Sequence, residues 1–596
     1  MKNNSLISIL CLLLSLFVAL TAFAGCSKKT EENPSSVSSD LSSEQQTEST
    51  LEEESQTPSS EEKTADDEWE EIPTDDDFSE DEEEIYFQEL TVKNKSYTNE
   101  NFLGFNFIHQ LANGYPDMYD RVYSQKQIDL ELDTMQKMGV KMIRSYYGSS
   151  LAWDPVKKQH DFENEWMKAF YQNCLDMQKI GVEVGITPQW DLKSLVDGTS
   201  SLPTVSGWGQ ECMGYLAFKQ DEKGKTVPDI EATANNFADF VKDSVLAFRA
   251  HGVNNVKQMF CFTECNNSIH LYGVNKKAGA TASRESREYE RLYPIYDAMI
   301  RAVDKGLKDA GVREKYQIVG PCDNWASVYG DDSEPYSLLT KYTVENLKGV
   351  VDVIGSHNGY DRAPAYVDDM YYDQPFIKLS DPMNRANAAG MEYWIDEFNA
   401  AVITSGGEEN ARTNKNVFKG TAVAAMANSV MNMGGVSNLY IWALYDQQWP
   451  NSVGGGEFIN GMHMVGYLPS LLNSTTPYPA YYALSLITRY VGQGKLFACE
   501  VGEYSVYISA IERHDGEITL IVTNFNAQPE NFKINFEKSL GGKTFYRYLY
   551  QPSEIKPAPG NDMIKADAVA KKVKTQFADT LPEMGVAIYT TEKPQK

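Results

Sequence analysis

Between Asn101 and Val491 the chain repeats one pattern, a short apolar run followed by a longer stretch whose apolar residues fall three and four apart. Short runs bounded by turn residues are strand signals, and the three-four spacing is that of a helix with one apolar face. The runs are Phe102–Ile108, Val140–Tyr146, Val182–Pro188, Val256–Thr263, Gln317–Pro321, Val351–Ser356, Glu392–Asp396 and Asn438–Leu444, eight in all. Between them lie helical patterns such as Ile128-Leu132-Met135, Phe237-Phe240-Val241-Val245-Phe248 and Leu292-Ile295-Met299-Val303. Gly139, Gly181, Gly252 and Gly311 each stand between a helix and the next strand, where a helix commonly ends in a left-handed residue. Eight strand–helix units over about 390 residues predict an α/β fold, a (β/α)8 TIM barrel with long loops. A doubly wound open sheet is the alternative. The first strand, however, carries Gly104-Phe105-Asn106, which lacks the spacing of a glycine-rich phosphate loop.

After Lys495 the period drops to two, in Val506-Ile508-Ala510, Ile518-Leu520-Val522, Phe532-Ile534-Phe536 and Tyr546-Tyr548-Tyr550, and Gly585–Tyr589 adds a last run. Asp515-Gly516 and Gly541-Gly542 separate the runs as turns. A small C-terminal antiparallel β-sandwich is therefore expected over residues 495–596, with the barrel domain over 86–494. A packing companion of the barrel and a sugar-binding module are both open roles for it.

The chain's first 26 residues read as a leader: Lys2, an apolar run from Ile7 to Leu20, then Ala24-Gly25-Cys26. The last three resemble a bacterial lipobox, which implies a lipid on Cys26 and a protein anchored at the extracellular face of the cytoplasmic membrane. A single transmembrane anchor is the other reading, for which the run is short. Residues 27–85 are Ser, Thr, Glu and Asp with little to bury, the composition of a disordered tether. Ser27 to Glu84 holds 23 acids against three lysines, most of the chain's net charge of -30. Such a segment repels itself and extends. The balance excludes nucleic acid as a partner, because no surplus of Lys and Arg is available for phosphate. The cysteines past Cys26 are Cys174, Cys212, Cys261, Cys265, Cys322 and Cys499, with no CxxC pair and no histidine at ligand spacing. No metal or cofactor is expected. The thiols either form one or two bridges or remain reduced.

In a barrel the carboxyl ends of the strands share one face and carry the chemistry. The fourth run leads into Thr263-Glu264 and the seventh into Asp396-Glu397. One such acid alone is as well explained by solvation of a strand end. Two, on opposite sides of one mouth, are what glycoside hydrolysis needs: an acid for the leaving oxygen and a nucleophile for the anomeric carbon. A separation of about 5 Å would give retention.

The strand-seven segment Ile395-Asp396-Glu397-Phe398-Asn399, Ile318-Val319-Gly320-Pro321 on strand five and Ser356-His357-Asn358-Gly359-Tyr360 on strand six resemble clan A glycoside hydrolases, and within that clan family thirty-nine. The resemblance covers the barrel and, more loosely, the domain after it. It implies Glu264 as general acid/base and Glu397 as nucleophile. It further implies Arg144 beside the nucleophile, with His357 and Tyr360 near a hydrogen-bond donor position. Trp442 is implied as an aromatic floor beneath the sugar. Trp190, Trp325 and Trp449 are further candidates for sugar stacking, since one pyranose face is mostly C–H; Asn106 is a further candidate sugar contact. One departure stands out. The clan keeps Asn before the acid/base, and here Thr263 occupies that position: either a neighbour such as Asn266 or Asn267 supplies the contact to the sugar 2-hydroxyl, or the sugar differs at C2, or activity is reduced.

The reading that follows is a retaining enzyme that cleaves β-glycosidic bonds of a polysaccharide or oligosaccharide at the cell surface. The alternative, motivated by Thr263, is a catalytically weak or inactive barrel that captures glycans. A wall-associated structural protein is a third reading, and it has no use for acids and aromatics at the strand ends.

Overall fold

The computed structural model describes residues 69–75, 77, 86–99, 103–106, 125–154, 156–188, 214–263, 287–324, 338–357, 364–366, 373–398, 401–403, 417–444, 465–467, 475–501, 506–555 and 563–594. The leader, Cys26 and most of the acidic tether lie outside these residues.

Eight parallel strands close into a barrel. They are β1 (Leu103–Asn106), β2 (Met142–Tyr146), β3 (Glu183–Thr187), β4 (Val256–Phe260), β5 (Gln317–Asn324), β6 (Val353–His357), β7 (Glu392–Phe398) and β8 (Asn438–Ile441). Each falls on one of the eight apolar runs. The helices α1 (Gln125–Met138), α2 (Glu165–Lys179), α3 (Ile230–Ala250), α4 (Arg287–Asp309), α5 (Leu338–Asn346), α6 (Asp373–Ala388), α7 (Lys419–Asn432) and α8 (Pro479–Tyr490) alternate with them. The open doubly wound sheet is thereby excluded, because β3 pairs with β4 and β8 with β1 to complete the ring.

The barrel interior is filled, not hollow. Met142, Phe260, Val319, Cys322, Val353, Trp394 and Tyr440 form one buried cluster drawn from six strands. Its three large rings fit because small residues face them. A side chain at Gly185 would begin 2.3 Å from the Phe260 ring.

The period-two runs after Lys495 all become strands, but the sheet they join is larger than expected. It has ten strands and draws in two segments from before the barrel, Glu70–Glu71 and Gln88–Asn99. Gln88–Asn99 lies between Gly494–Val501 and Glu530–Phe536. Residues 86–99 therefore belong to the sheet and not to the barrel domain, and the ordered chain already begins within the segment expected to be disordered. The pairing partners are about 400 residues or more away in sequence, which no local pattern announces. One buried cluster takes in Leu90, Leu520, Ile534, Phe577 and Tyr589 from strands across the whole order, so the sheet curls around its own core.

The opposite face of this sheet meets the barrel. Tyr507, Ile511, Ile521, Tyr548, Tyr550 and Ile588 join the same core as the barrel helices. Between the two lies α7, of which every residue from Lys419 to Met431 is buried. Its Asn428 donates to Thr523 Oγ1 at 3.0 Å and accepts, through its carbonyl, from Ser509 Oγ at 3.1 Å. Among the described residues Cys174, Cys261, Cys322 and Cys499 are free thiols, and no helix is long and apolar enough to cross a membrane.

Two polar devices fasten the sheet. Arg547, nearly buried, pairs with Asp579 at 2.8 Å, Asp567 at 3.0 Å and Glu70 at 3.3 Å. Glu70 is exposed and Asp567 partly so, but Asp579 is not, and removing one member of a buried pair leaves uncompensated charge, at about 3–5 kcal/mol. Arg547→Met is expected to lower the unfolding free energy by about that amount in a urea titration. Asp75 clips the incoming chain to a turn: its carboxylate accepts the backbone N–H of Lys574 at 2.6 Å, Thr575 at 2.9 Å and Gln576 at 3.1 Å. Burial works to raise its pKa, and these bonds with the Thr575 hydroxyl outweigh burial and hold it below the ordinary carboxylate value. A depressed carboxylate stabilises the fold above its unfolded pKa and loses that contribution as pH falls through the folded one. The protection of amides in residues 69–75, taken against the intrinsic exchange rate at each pH, should therefore fall below about pH 4. Asp75→Asn should show the lowered protection at neutral pH; unchanged protection in both experiments would contradict the clip.

Candidate active site

At the carboxyl end of the barrel β7 breaks its alternation. Ser356 pairs with Ile395 and His357 with Glu397, so Asp396 is one residue too many on the β6 side. On the β8 side the ladder also shifts between Ile395 and Phe398. Such a bulge re-aims the side chains that follow it. A regular strand would alternate, sending Asp396 and Glu397 to opposite faces. Here the basic groups of β2 and β6 reach both: Glu397 touches Arg144, and both acids lie within 4 Å of His357 ring nitrogens. The Asp396 carbonyl is capped by Asn106 Nδ2 from β1 at 3.0 Å.

Glu397 is 1 % exposed and is held from two strands. Arg144 Nη1, on β2, donates to its Oε1 at 2.6 Å, and Tyr146 Oη, two residues along the same strand face, lies 3.4 Å from that oxygen. His357 Nδ1, at the end of β6, is 3.3 Å from Oε2. Arg144 is itself fixed. Nη1 also donates to Asn106 Oδ1 at 2.9 Å, Nη2 donates to Thr263 Oγ1 at 2.9 Å, and the guanidinium lies over the rings of Phe260 and Tyr146. Burial opposes its charge, but Tyr146, Glu397 and Asp396 outweigh burial and raise its pKa above the ordinary value. A cation bonded to a carboxylate at this distance favours the ionised form of the acid. Arg144 thus orients Glu397 and keeps it negative, the two properties a carboxylate nucleophile requires.

The residues expected from the sequence divide accordingly. Glu397, Arg144, His357 and Thr263 meet in one cluster. Thr263 faces it as a ligand of Arg144, a role the sequence reading did not give it. Asn106, expected as a sugar contact, is a correction: it is 1 % exposed and both ends of its amide are engaged, one by Arg144 and the other by Asp396. Trp442 follows β8 and is 8 % exposed, joined to Ala443 by a cis peptide bond. Glu264, Asn266, Tyr360, Trp190, Trp325 and Trp449 lie outside the described residues. Three members of the cluster were missed. Tyr146 was readable from its position two residues beyond Arg144. Asp396 and Cys322 are placed by strand irregularities, Cys322 taking a positive φ of 55° where the β5 ladder shifts. Among the described residues no group of His, Cys, Asp or Glu is arranged to hold a metal ion.

A closed parallel barrel with a buried arginine–glutamate pair at its carboxyl end and a β-sheet packed on one side is the architecture that results. Solved structures share the fold. Xylanase C of glycoside hydrolase family 30 from Talaromyces cellulolyticus aligns over 85% of this chain and 100% of its own at 12% identity, TM-score 0.51. The family 51 arabinofuranosidase from Xanthomonas axonopodis pv. citri gives the same figures. A conserved exported protein from Bacteroides fragilis aligns over 84% of this chain and 99% of its own at 13% identity, TM-score 0.52. At such identities the likeness is one of fold. No protein-family model matches the sequence, and no curated protein does.

Arg144→Lys tests the cluster. One ammonium lacks the planar fork that reaches Glu397, Asn106 and Thr263 together. The variant should lose about 2–4 kcal/mol of stability in urea titration, slightly less than complete removal of a buried ionic partner. A change below about 0.5 kcal/mol, the size of an ordinary surface substitution, would show that the contacts are not formed.

Proposed function

We propose that the protein is a retaining glycoside hydrolase that cleaves β-glycosidic bonds in a polysaccharide or oligosaccharide. The observation that carries this is the Glu397 carboxylate, ionised by Arg144 and aimed by three side chains at the end of barrel strand seven. In the proposed double displacement Glu397 attacks the anomeric carbon, and Glu264 protonates the leaving oxygen. Glu264 then takes a proton from water, which displaces Glu397 and restores both acids. Trp442 would stack under the sugar. The fold shared with a xylanase and an arabinofuranosidase supports a carbohydrate substrate, and the motifs on strands five to seven support a relationship to family thirty-nine. The leader, the lipobox-like Ala24-Gly25-Cys26 and the acidic segment after it support attachment through a lipid at the outer face of a bacterial membrane.

The glycan-capture reading drew on Thr263. The Arg144–Thr263 bond gives that residue a part in holding the arginine that orients Glu397, which supports the catalytic reading.

Assay with a panel of aryl β-glycosides decides the matter. Glu397→Ala and Glu264→Ala should each reduce turnover on the order of 10⁴-fold, as removal of a nucleophile or its proton partner does elsewhere. An activated 2-fluoro sugar should add its mass to Glu397 in the intact enzyme. Turnover that survives both substitutions would refute the assignment. Binding of an oligosaccharide with no adduct from any such sugar would instead favour capture.

A further inference from the structure

The bulge that places Glu397 also places a second acid that the double displacement does not use. Asp396 is fully buried, inside the barrel beside Cys322. Its carboxylate has room only because β6 carries a glycine there: a side chain on Gly355 would begin 2.9 Å from Asp396 Oδ2. Neither Asp396 oxygen has a hydrogen bond of ordinary length, and the Cys322 thiol faces it as a weak donor. A carboxyl buried in this way stays ionised only beside a cation.

The described charged and titratable groups around this point are Arg144 and Tyr146 on β2, Cys322 and Asp323 on β5, His357 on β6, Tyr393, Asp396 and Glu397 on β7, and Tyr440 on β8. Arg144 gives Nη1 and Nη2 to Glu397, Asn106 and Thr263; its charge is felt at Asp396, but it makes no hydrogen bond to either Asp396 oxygen. His357 stands between the two acids: Nε2 is 3.6 Å from Asp396 Oδ1, and Nδ1 is 3.3 Å from Glu397 Oε2. A neutral imidazole has one N–H, so it would turn a lone pair toward one of the two carboxylates. The imidazolium turns an N–H toward each carboxylate and places a second cation, beside Arg144, between the two acids.

We propose that Asp396 is a positioning residue that holds His357 as an imidazolium, with Nδ1–H kept on the nucleophile Glu397. On the glycosidase reading, on which this consequence rests, glycosylation removes the charge of Glu397 and with it one reason for His357 to stay protonated. Asp396 supplies the other reason. The proton stays on Nδ1 through the ester intermediate, and the Nδ1–H stabilises the Glu397 carboxylate as it re-forms in the second displacement. No proton enters or leaves the His357–Asp396 pair during the cycle.

The test is spectroscopic first. Nitrogen NMR of the full chain with labelled histidine, with His357→Gln to assign the signal among the seven histidines, reports the ring state at neutral pH. Both ring nitrogens of His357 should be protonated in the wild-type protein, and Asp396→Asn should convert the ring to its one-proton form. A neutral ring in the wild-type protein overturns the proposal even if the variant fails to fold, and so does an imidazolium that persists in a folded variant. In turnover, Asp396→Asn should slow deglycosylation by about 10- to 100-fold, the effect of removing an outer partner from a metal-bound histidine. It should also accumulate the glycosyl-enzyme by mass, whereas a merely structural defect would lower both steps alike. The ring state is read without substrate, so an enzyme with no glycosidase activity would refute the function and leave this inference standing or falling on its own spectrum.

Discussion

The buried contact between Arg144 and Glu397 governs the carboxyl end of the barrel. Taking two charges out of water is unfavourable unless their attraction and their remaining hydrogen bonds repay the lost hydration. The chain meets that condition with neutral groups from neighbouring strands. Asn106 and Thr263 accept from the guanidinium, Tyr146 reaches the carboxylate, and Phe260 presents a ring face to the cation. Asn106 comes from β1, Arg144 and Tyr146 from β2, Phe260 and Thr263 from the end of β4 and just after it, and Glu397 from β7, so the ring of strands must close before the pair is satisfied. The barrel and the site are therefore specified by the same contacts.

Packing below the site is its rigid support. Phe260, Trp394 and Tyr440 fill the interior, and glycines on the facing strands leave them space. A floor of interlocked rings resists the small displacements that would lengthen a 2.6 Å bond, which is why the irregularities of β5 and β7 are confined to the rim. Asp396 and Cys322 sit where that floor meets the polar rim, at the depth where solvation by water ends and the protein alone must balance charge.

How much of this could be read from the sequence follows from the range of the interactions involved. The eight barrel strands were legible because burial on both faces imposes continuous apolar runs, and because Gly139, Gly181, Gly252 and Gly311 mark the helix ends, all four at positive φ. Glu397 was legible as an acid after such a run. Its inward aim was not, since a bulge adds one residue without any change in composition. Gln88–Asn99 was misassigned for a related reason: after Leu90 and Val92 it turns to Lys93-Asn94-Lys95-Ser96, and only partners several hundred residues away make it a strand. Asn106 was identified as polar and strand-terminal, but which neighbour it serves depends on the ring being closed. Glu264 lies beyond the described residues, so its half of the site remains a reading of the sequence.

The burial of α7 bears on how the protein is built as a whole. A helix with no solvent-facing side belongs equally to the barrel that contains it in sequence and to the sheet that covers it. Cutting the chain after the barrel would strand Val423, Met426 and Val430 in water, and deleting the barrel would do the same to Tyr548 and Tyr550. The sheet is thus not an interchangeable accessory of the kind that recombination shuffles between enzymes. Barrel and sheet are inherited, folded and lost as one piece.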